Sequence, residues 1–347
     1  MRIEAVDLFC GVGGLTAGLI KANIVVKAGY DIEESCAFPY EHNNKGAKFH
    51  LRDVKDVSGN EILKHYSDGA IKLLAGCAPC QPFSTYNQGK DVRNDTKWPL
   101  LYAFSRLIKE VNPELVTMEN VPDVTKHQVY HDFVEELRKK GYEIWAAKVK
   151  CADYGIAQMR QRHVLLASRI GNIELLPPTH ADNHVTVRDI IGKLPKITSG
   201  EQHKTDILHR SSRLNDLNMK RIRASKPGGT WLDWPKELRA NCHTKRSGQT
   251  YRGVYGRMEW DKPAPTMTTL CTGFGNGRFG HPEQDRAISL REAALFQSFP
   301  VDYQFFPSDE KPIISAISRM IGNAVPVRLG EIIGLSFVHG IAALKSC

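Results

Sequence analysis

With 347 residues, 41% of them hydrophobic and 24% charged, the chain can bury one large core or two ordinary ones. No run approaches the roughly 18 apolar residues of a membrane span, and Met1 to Asp7 enter a strand-like pattern without a leader, so a cytoplasmic protein with no membrane partner is expected. Eight irregularly spaced cysteines suit reduced thiols, and the net charge of +9 is concentrated in residues 171–280, which hold 18 Lys and Arg against 10 Asp and Glu, as a nucleic-acid-binding face would.

The first half alternates short apolar runs with amphipathic stretches, the pattern of a parallel sheet with crossover helices. Strands are expected at Ile3 to Leu8, Ile24 to Ala28, Leu73 to Leu74 with flanks, Leu115 to Met118, Ile144 to Val149 and His163 to Ala167. Helices are expected between them at Leu15 to Ala22, Ser35 to Asn43, Leu100 to Val111 and Tyr130 to Lys140. The fold class is therefore α/β, a doubly wound mixed sheet. After Ile170 the texture changes to prolines, histidines and basic clusters, and from Ser289 a helical pattern resumes through Ile313 to Leu344. Two lobes follow: residues 1–188 with 301–347, and a smaller, irregular lobe of residues 189–300.

Four motifs fall on loops at expected strand ends, the edge where open α/β sheets bind ligands. Asp7-Leu8-Phe9-Cys10-Gly11-Val12-Gly13-Gly14 is a glycine-rich turn opening a helix, and Asp31 and Glu33 follow about 20 residues later, where a carboxylate accepts from ribose hydroxyls. That order fits any adenosine-bearing cofactor, NAD included. Pro79-Cys80-Gln81 offers a nucleophilic thiol, with a redox pair, half a zinc site or plain packing as alternatives for Cys77 and Cys80. The two prolines flanking Cys80 disfavour a redox helix start, and no second pair stands at zinc-site spacing, so no metal is expected.

Glu119-Asn120-Val121 supplies a proton donor or acceptor at the same edge. Gln158-Met159-Arg160-Gln161-Arg162 precedes the last strand; if it alternates into that strand, Gln158, Arg160 and Arg162 share a face.

In this order and spacing the motifs resemble the bacterial cytosine-5 DNA methyltransferase family. Leu290-Arg291-Glu292-Ala293-Ala294 with Phe299-Pro300, Pro265-Thr266-Met267-Thr268-Thr269 and Gly322-Asn323-Ala324-Val325-Pro326 extend the resemblance over almost the whole chain, apart from about Asp189 to Asp261. The resemblance implies an S-adenosylmethionine-dependent, Rossmann-like catalytic lobe and a target-recognition lobe. It implies Cys80 as nucleophile, Glu119 at the ring nitrogen and amino group, Arg162 at the cytosine carbonyl and Arg160 nearer phosphate.

For the cofactor, S-adenosyl-L-methionine, the resemblance implies contacts from Asp7, Phe9, Gly11, Val12, Gly13, Asp31, Ile32, Asp53, Pro79, Leu100, Asn323 and Ala324. Asp53 would reach the adenine amino group and Ile32 the ring face. Gly76-Cys77-Ala78 departs from the tripeptide the family often has before its nucleophile, which makes Cys77 a small packing residue.

Double-stranded DNA is the expected partner, with Ser84, Gln158, Arg221, Arg223, Lys226, Lys245, Arg246, Arg252 and Arg257 as candidate contacts and Trp231 and Trp234 as core. A monomer is expected, together with a cognate restriction endonuclease acting on the same site. The nearest alternative is the tRNA-modifying branch of the family, whose Cys-Phe-Thr tripeptide is absent from this sequence.

Overall fold

A computed structural model describes residues 2–79, 99–245, 248 and 250–344. In chain order the elements are β1 (Ile3–Leu8), α1 (Gly14–Lys21), β2 (Val25–Asp31), α2 (Ala37–Asn43), β3 (Lys48–Leu51), α3 (Gly59–Leu63), β4 (Ile71–Gly76), α4 (Pro99–Val111), β5 (Leu115–Asn120), α5 (Gln128–Lys139), β6 (Glu143–Lys150) and β7 (Gln161–Ser168). Then come α6 (Val187–Ile191), α7 (Asp216–Ala224), α8 (Asn241–Thr244), α9 (Leu290–Phe296), α10 (Ile314–Asn323) and α11 (Val327–Leu344).

The seven strands form one sheet in the order β3-β2-β1-β4-β5-β7-β6. Neighbours from β3 to β5 pair in parallel, and β7 runs antiparallel to both β5 and β6. All six residues of β1 are buried, because helices cover both faces. Alternation divides the strands between two cores: Ile3, Ala5, Leu73 and Ala75 meet α1 and α11 on one face, while Val6, Leu8, Leu74 and Val116 meet α4 and α5 on the other. The doubly wound mixed sheet expected from the sequence is thus present.

Two elements of the sheet region went unread, as did the short helices α6, α7 and α8 of the irregular segment. β3 is a four-residue edge strand with Lys48 and Leu51 exposed, too short and too polar for a periodic signal. α3 has five residues, begun by Ser58, whose side chain accepts from the Glu61 amide. The start expected at Ser35 is a 3-10 turn over Glu34–Cys36, and α2 proper begins at Ala37.

The apolar length of α11 serves the core: Leu329, Ile332, Ile333, Phe337 and Ile341 are all buried. It lies unusually close to α1, since a Cβ on Gly18 would stand 2.4 Å from the Val327 carbonyl oxygen and the Glu331 amide nitrogen. A third core draws Val12 and Cys36 from the sheet side together with Val187, Met258, Met267, Leu290, Phe296 and Ile321. A separate small cluster of Ile222, Phe274 and Ala287 belongs to the irregular segment alone. Trp231 and Trp234 are buried there, as expected.

Candidate active site

The glycine-rich turn leaves β1 through left-handed backbone at Phe9, Gly11 and Gly13, with φ of 58°, 50° and 86°. The Gly11 amide donates to Asp31 Oδ2 at 2.8 Å, and the Glu33 amide to Asp31 Oδ1 at 3.0 Å, so the end of β2 is tied to the turn. Burial raises the Asp31 carboxyl above its ordinary range despite these amide donors. A Cβ built on Gly11 would meet nothing within 4 Å, so open space faces this bend, and beside it Ile32 leaves an apolar side chain 70% exposed. An acid, an open glycine turn and an uncovered apolar side chain fit an adenosine-bearing cofactor.

Two expected cofactor residues serve the turn from beneath. Asp7 is 1% exposed, and its Oδ2 accepts from Thr16 Oγ1 at 2.7 Å, so its side chain holds the start of α1 to the end of β1. Burial pushes its carboxyl up to about 7. Val12 is likewise buried in the third core, and its carbonyl accepts from the Tyr303 hydroxyl. A Cβ on Gly13 would collide with Asn44 Nδ2 at 2.4 Å, so this glycine serves packing as well as φ.

Phe9 is half-buried against the α4 face. Asp53 accepts from the Lys55 amide at 2.9 Å and pairs with Lys55 Nζ at 3.0 Å. Pro79 is exposed, Leu100 half-buried in the first turn of α4, and Asn323 exposed at the end of α10, followed by a half-buried Ala324. The Val325 carbonyl lies so close to Gly14 that a Cβ there would stand 2.2 Å away, which seats the α10 end on the glycine turn.

On the next strands over, the antiparallel register sets Glu119 opposite Val164, two residues from Arg162 and on the same face. Arg162 Nε lies 2.8 Å from Glu119 Oε1, with both side chains largely buried. The N–H is not aimed along that line, so Oε1 has no aligned hydrogen bond among the described residues and keeps acceptor capacity. Asn120 Nδ2 donates to the Ala78 carbonyl at 3.1 Å, fixing the loop after β4 against the end of β5. Asn120 had no expected role of its own; its place inside Glu-Asn-Val was the only signal.

Gln158, Arg160 and Arg162 do not share a face. β7 begins at Gln161, and upstream of it Gln158 and Arg160 turn inward while Met159 stays exposed. Gln158 is fully buried, donating to the Phe296 carbonyl and Gln297 Oε1 at 3.0 and 2.9 Å and accepting from the Met267 amide at 2.7 Å. Arg160 donates to the carbonyls of Met267, Gly322 and Ala324 at 2.9, 3.3 and 3.4 Å. These bonds correct both expectations, DNA contact for Gln158 and phosphate contact for Arg160: the pair joins the sheet to the segments carrying Met267 and Asn323. Gln297, unread in the sequence, completes this join by donating to the carbonyls of Ile321 and Ala324 at 2.6 and 3.1 Å.

The expected DNA contacts also divide. Arg257 is buried, donating to the carbonyls of Ile222, Ser225, His281 and Gln284 and pairing with Asp285. Arg221 is buried under Tyr255 and Trp234 and donates to the Leu238 carbonyl at 2.9 Å. Both hold the irregular lobe together, because a buried guanidinium must spend its donors locally. Lys226, Lys245 and Arg252 are exposed, and Arg223 is exposed with Asp285 at 3.2 Å. Cys80, Ser84 and Arg246 lie outside the described residues.

Four other thiols are poor nucleophiles. Burial pushes Cys151 up to about 11, Cys271 up to about 12, and Cys10 and Cys36 upward as well. Among the described residues no cluster of His, Cys, Asp or Glu is arranged for a metal ion.

A mixed seven-stranded sheet with an open glycine turn and a Glu–Arg pair at its carboxyl edge is the arrangement of an open α/β enzyme that binds its ligands at the strand ends. Residues 3–339 match the family model for C-5 cytosine-specific DNA methylases, and the chain belongs to that family. It is a DNA (cytosine-5-)-methyltransferase. It is 52% identical to the type II methylase M.HgiDII of Herpetosiphon aurantiacus over 97% of this chain and 96% of that one. The type II methyltransferase M.Sau96I of Staphylococcus aureus is 29% identical over 96% of this chain and 75% of that protein. Among solved structures, a putative DNA modification methyltransferase encoded within an Escherichia coli prophage superposes with a TM-score of 0.76 at 21% identity, covering 98% of this chain and all of that one. The Dnmt2 methyltransferase of Schizosaccharomyces pombe, at a TM-score of 0.62 and 15% identity over 99% of this chain and all of that one, shares the fold.

Proposed function

We propose that this methyltransferase uses S-adenosyl-L-methionine and acts on a cytosine turned out of duplex DNA, through Cys80, Glu119 and Arg162. The observation that carries the reading is the buried Glu119–Arg162 pair at 2.8 Å, at the same sheet edge as the loop that leads into Cys80. Carbon 5 of cytosine is a weak nucleophile while its electrons belong to the aromatic ring. The Cys80 thiolate adds to carbon 6 and breaks that conjugation, while the Glu119 carboxyl gives a proton to the ring nitrogen as charge builds there. Arg162 stabilises charge at the carbonyl oxygen. Carbon 5, made nucleophilic by this addition, would take the electrophilic methyl that a bound S-adenosylmethionine would supply, the S–CH3 bond breaking as the C5–CH3 bond forms. Loss of the carbon 5 proton to a solvent base, with the ring-nitrogen proton returned to Glu119, then expels the Cys80 thiolate and restores the ring.

The glycine turn, Asp31 and Ile32 hold the adenosine, and Asn323 and Leu100 close the same cleft. Because neither face of a stacked cytosine is open, the base must leave the helix at a cost of a few kcal/mol. Residues 189–300 grip the duplex, with Lys226, Lys245 and Arg252 exposed for phosphate or base contact. The similarity to type II methylases supports a modification enzyme; in this reading it acts as a monomer in the bacterial cytoplasm, beside a cognate endonuclease.

The test is to incubate the protein with methyl-labelled S-adenosylmethionine and either duplex DNA or tRNA. Label should enter the 5-position of cytosine in DNA, and Cys80→Ser should abolish it. Continued methylation by Cys80→Ser refutes the nucleophile, and label in tRNA alone refutes the substrate.

A further inference from the structure

We infer that Glu33 and Arg319 form a latch across one rim of the cofactor cleft, setting how fast the cofactor and its product leave; the inference rests on the S-adenosylmethionine reading. The two are 286 residues apart in sequence, yet Arg319 Nη2 donates to Glu33 Oε2 at 3.1 Å.

Each partner sits one step from a cofactor residue. Glu33 follows Asp31 and Ile32, and its own amide donates to Asp31 Oδ1 at 3.0 Å, so its backbone is part of the acid's setting. Arg319 precedes Asn323 by four residues on α10, which is one helical turn. Between these two ends lies the glycine turn, touched by Asp31 through Gly11 and by the α10 end through Gly14 and Val325.

The rest of the contact between these ends is apolar and buried, with Val12 and Cys36 in the same core as Ile317, Met320 and Ile321. The ion pair is the polar fastening above that layer, and it is open to solvent, with side chains 53% and 44% exposed. Ser35 Oγ donates to the other carboxylate oxygen at 2.7 Å, which holds the Glu33 head in place for Arg319. An exposed pair contributes little to folding, so its influence falls on the separation of the two ends rather than on the stability of either.

The latch is tested by binding S-adenosylmethionine and S-adenosylhomocysteine to the full chain by calorimetry, with release of labelled S-adenosylhomocysteine followed in a chase. Glu33→Gln and Arg319→Gln should each weaken binding about two- to fivefold, the scale of an exposed ion pair. The loss should come from faster release at an unchanged melting temperature. The double variant Glu33→Gln with Arg319→Gln should be no weaker than either single one, and Glu33→Arg with Arg319→Glu should recover most of the affinity. Added salt should weaken the wild type more than the double Gln variant.

Additive losses, or a loss in Glu33→Gln with none in Arg319→Gln, overturn the latch, the second outcome by making Glu33 a direct ligand contact. A wild type that binds no more tightly, and releases no more slowly, than any of the variants overturns the latch alone. A wild type that binds neither compound overturns the cofactor reading and the latch with it.

Discussion

Gly322→Ala probes the seat of α10, on which the cofactor side of the site depends. Gly322 faces backbone: a Cβ there would stand 2.3 Å from the Thr268 carbonyl carbon and 2.4 Å from both the Thr268 oxygen and the Thr269 nitrogen. That is roughly 1 Å short of ordinary contact, and neither backbone can swing aside as a side-chain tip would. Overpacking of this kind costs about 1–3 kcal/mol, here at the upper end, and alanine returns up to about 1 kcal/mol through its helix preference. The net loss is about 2 kcal/mol, a factor of about 30 in the folding equilibrium.

The same displacement moves the Gly322 carbonyl from Arg160, 3.3 Å away, and carries Asn323 with it. A 1 Å misplacement near the reacting groups costs on the order of 100-fold in rate. Urea denaturation and methyl transfer at saturating DNA and cofactor should therefore both fall. A Gly322→Ala protein with the wild-type midpoint and turnover would refute the close approach and the role given to it.

Arg162→Lys keeps a charge but loses the planar fork beside Glu119, so turnover should fall about 10²–10³-fold while calorimetric cofactor affinity stays put; an active Lys variant refutes the stated role. Lys226→Ala, Lys245→Ala and Arg252→Ala should each weaken DNA binding and reduce the salt-dependence slope by about 1, whereas Arg257→Ala should lower the melting temperature. An unchanged slope in all three surface variants places the DNA elsewhere. Arg286 grips Glu292 through two hydrogen bonds of 2.8 and 2.7 Å, both side chains fully buried, so Glu292→Ala should cost about 3–5 kcal/mol.

Burial pushes the Glu292 carboxyl up, but the Arg286 hydrogen bonds and charge outweigh it and hold the group below its ordinary value. Its folded value being depressed, the linked stability is present above the unfolded value of about 4.3 and is lost as pH falls through the folded one. The urea-midpoint difference between wild type and Glu292→Ala should therefore narrow from pH 7 toward pH 3, and a constant difference contradicts the linkage.

Much of the sheet was legible because β1, β4 and β5 are mainly apolar and lie between turn signals, and such segments are satisfied between two helical layers. The meeting of Glu119 and Arg162 at one sheet edge was legible for a related reason: strand-end residues reach the ligand edge whatever the details of packing. Arg160, Arg221, Arg257 and Gln158 misled because a basic or amide side chain carries no mark of whether its donors meet solvent or carbonyls. Gln297 and Asn120 were silent because each bonds to partners remote in sequence.

The sequence by itself determined the alternation of strands and helices, the glycine turn, the order of the motifs and hence the family and its reaction. Tertiary structure alone decided which cations are structural, that the Gln158, Arg160 and Gln297 donors tie the sheet to the segments carrying Met267, Phe296 and Ile321, and that Glu33 meets Arg319. The physical reason is range. Periodicity and turn chemistry are set by neighbours a few residues apart, whereas burial, and with it the fate of every polar group, is set by segments that meet only once the chain has folded.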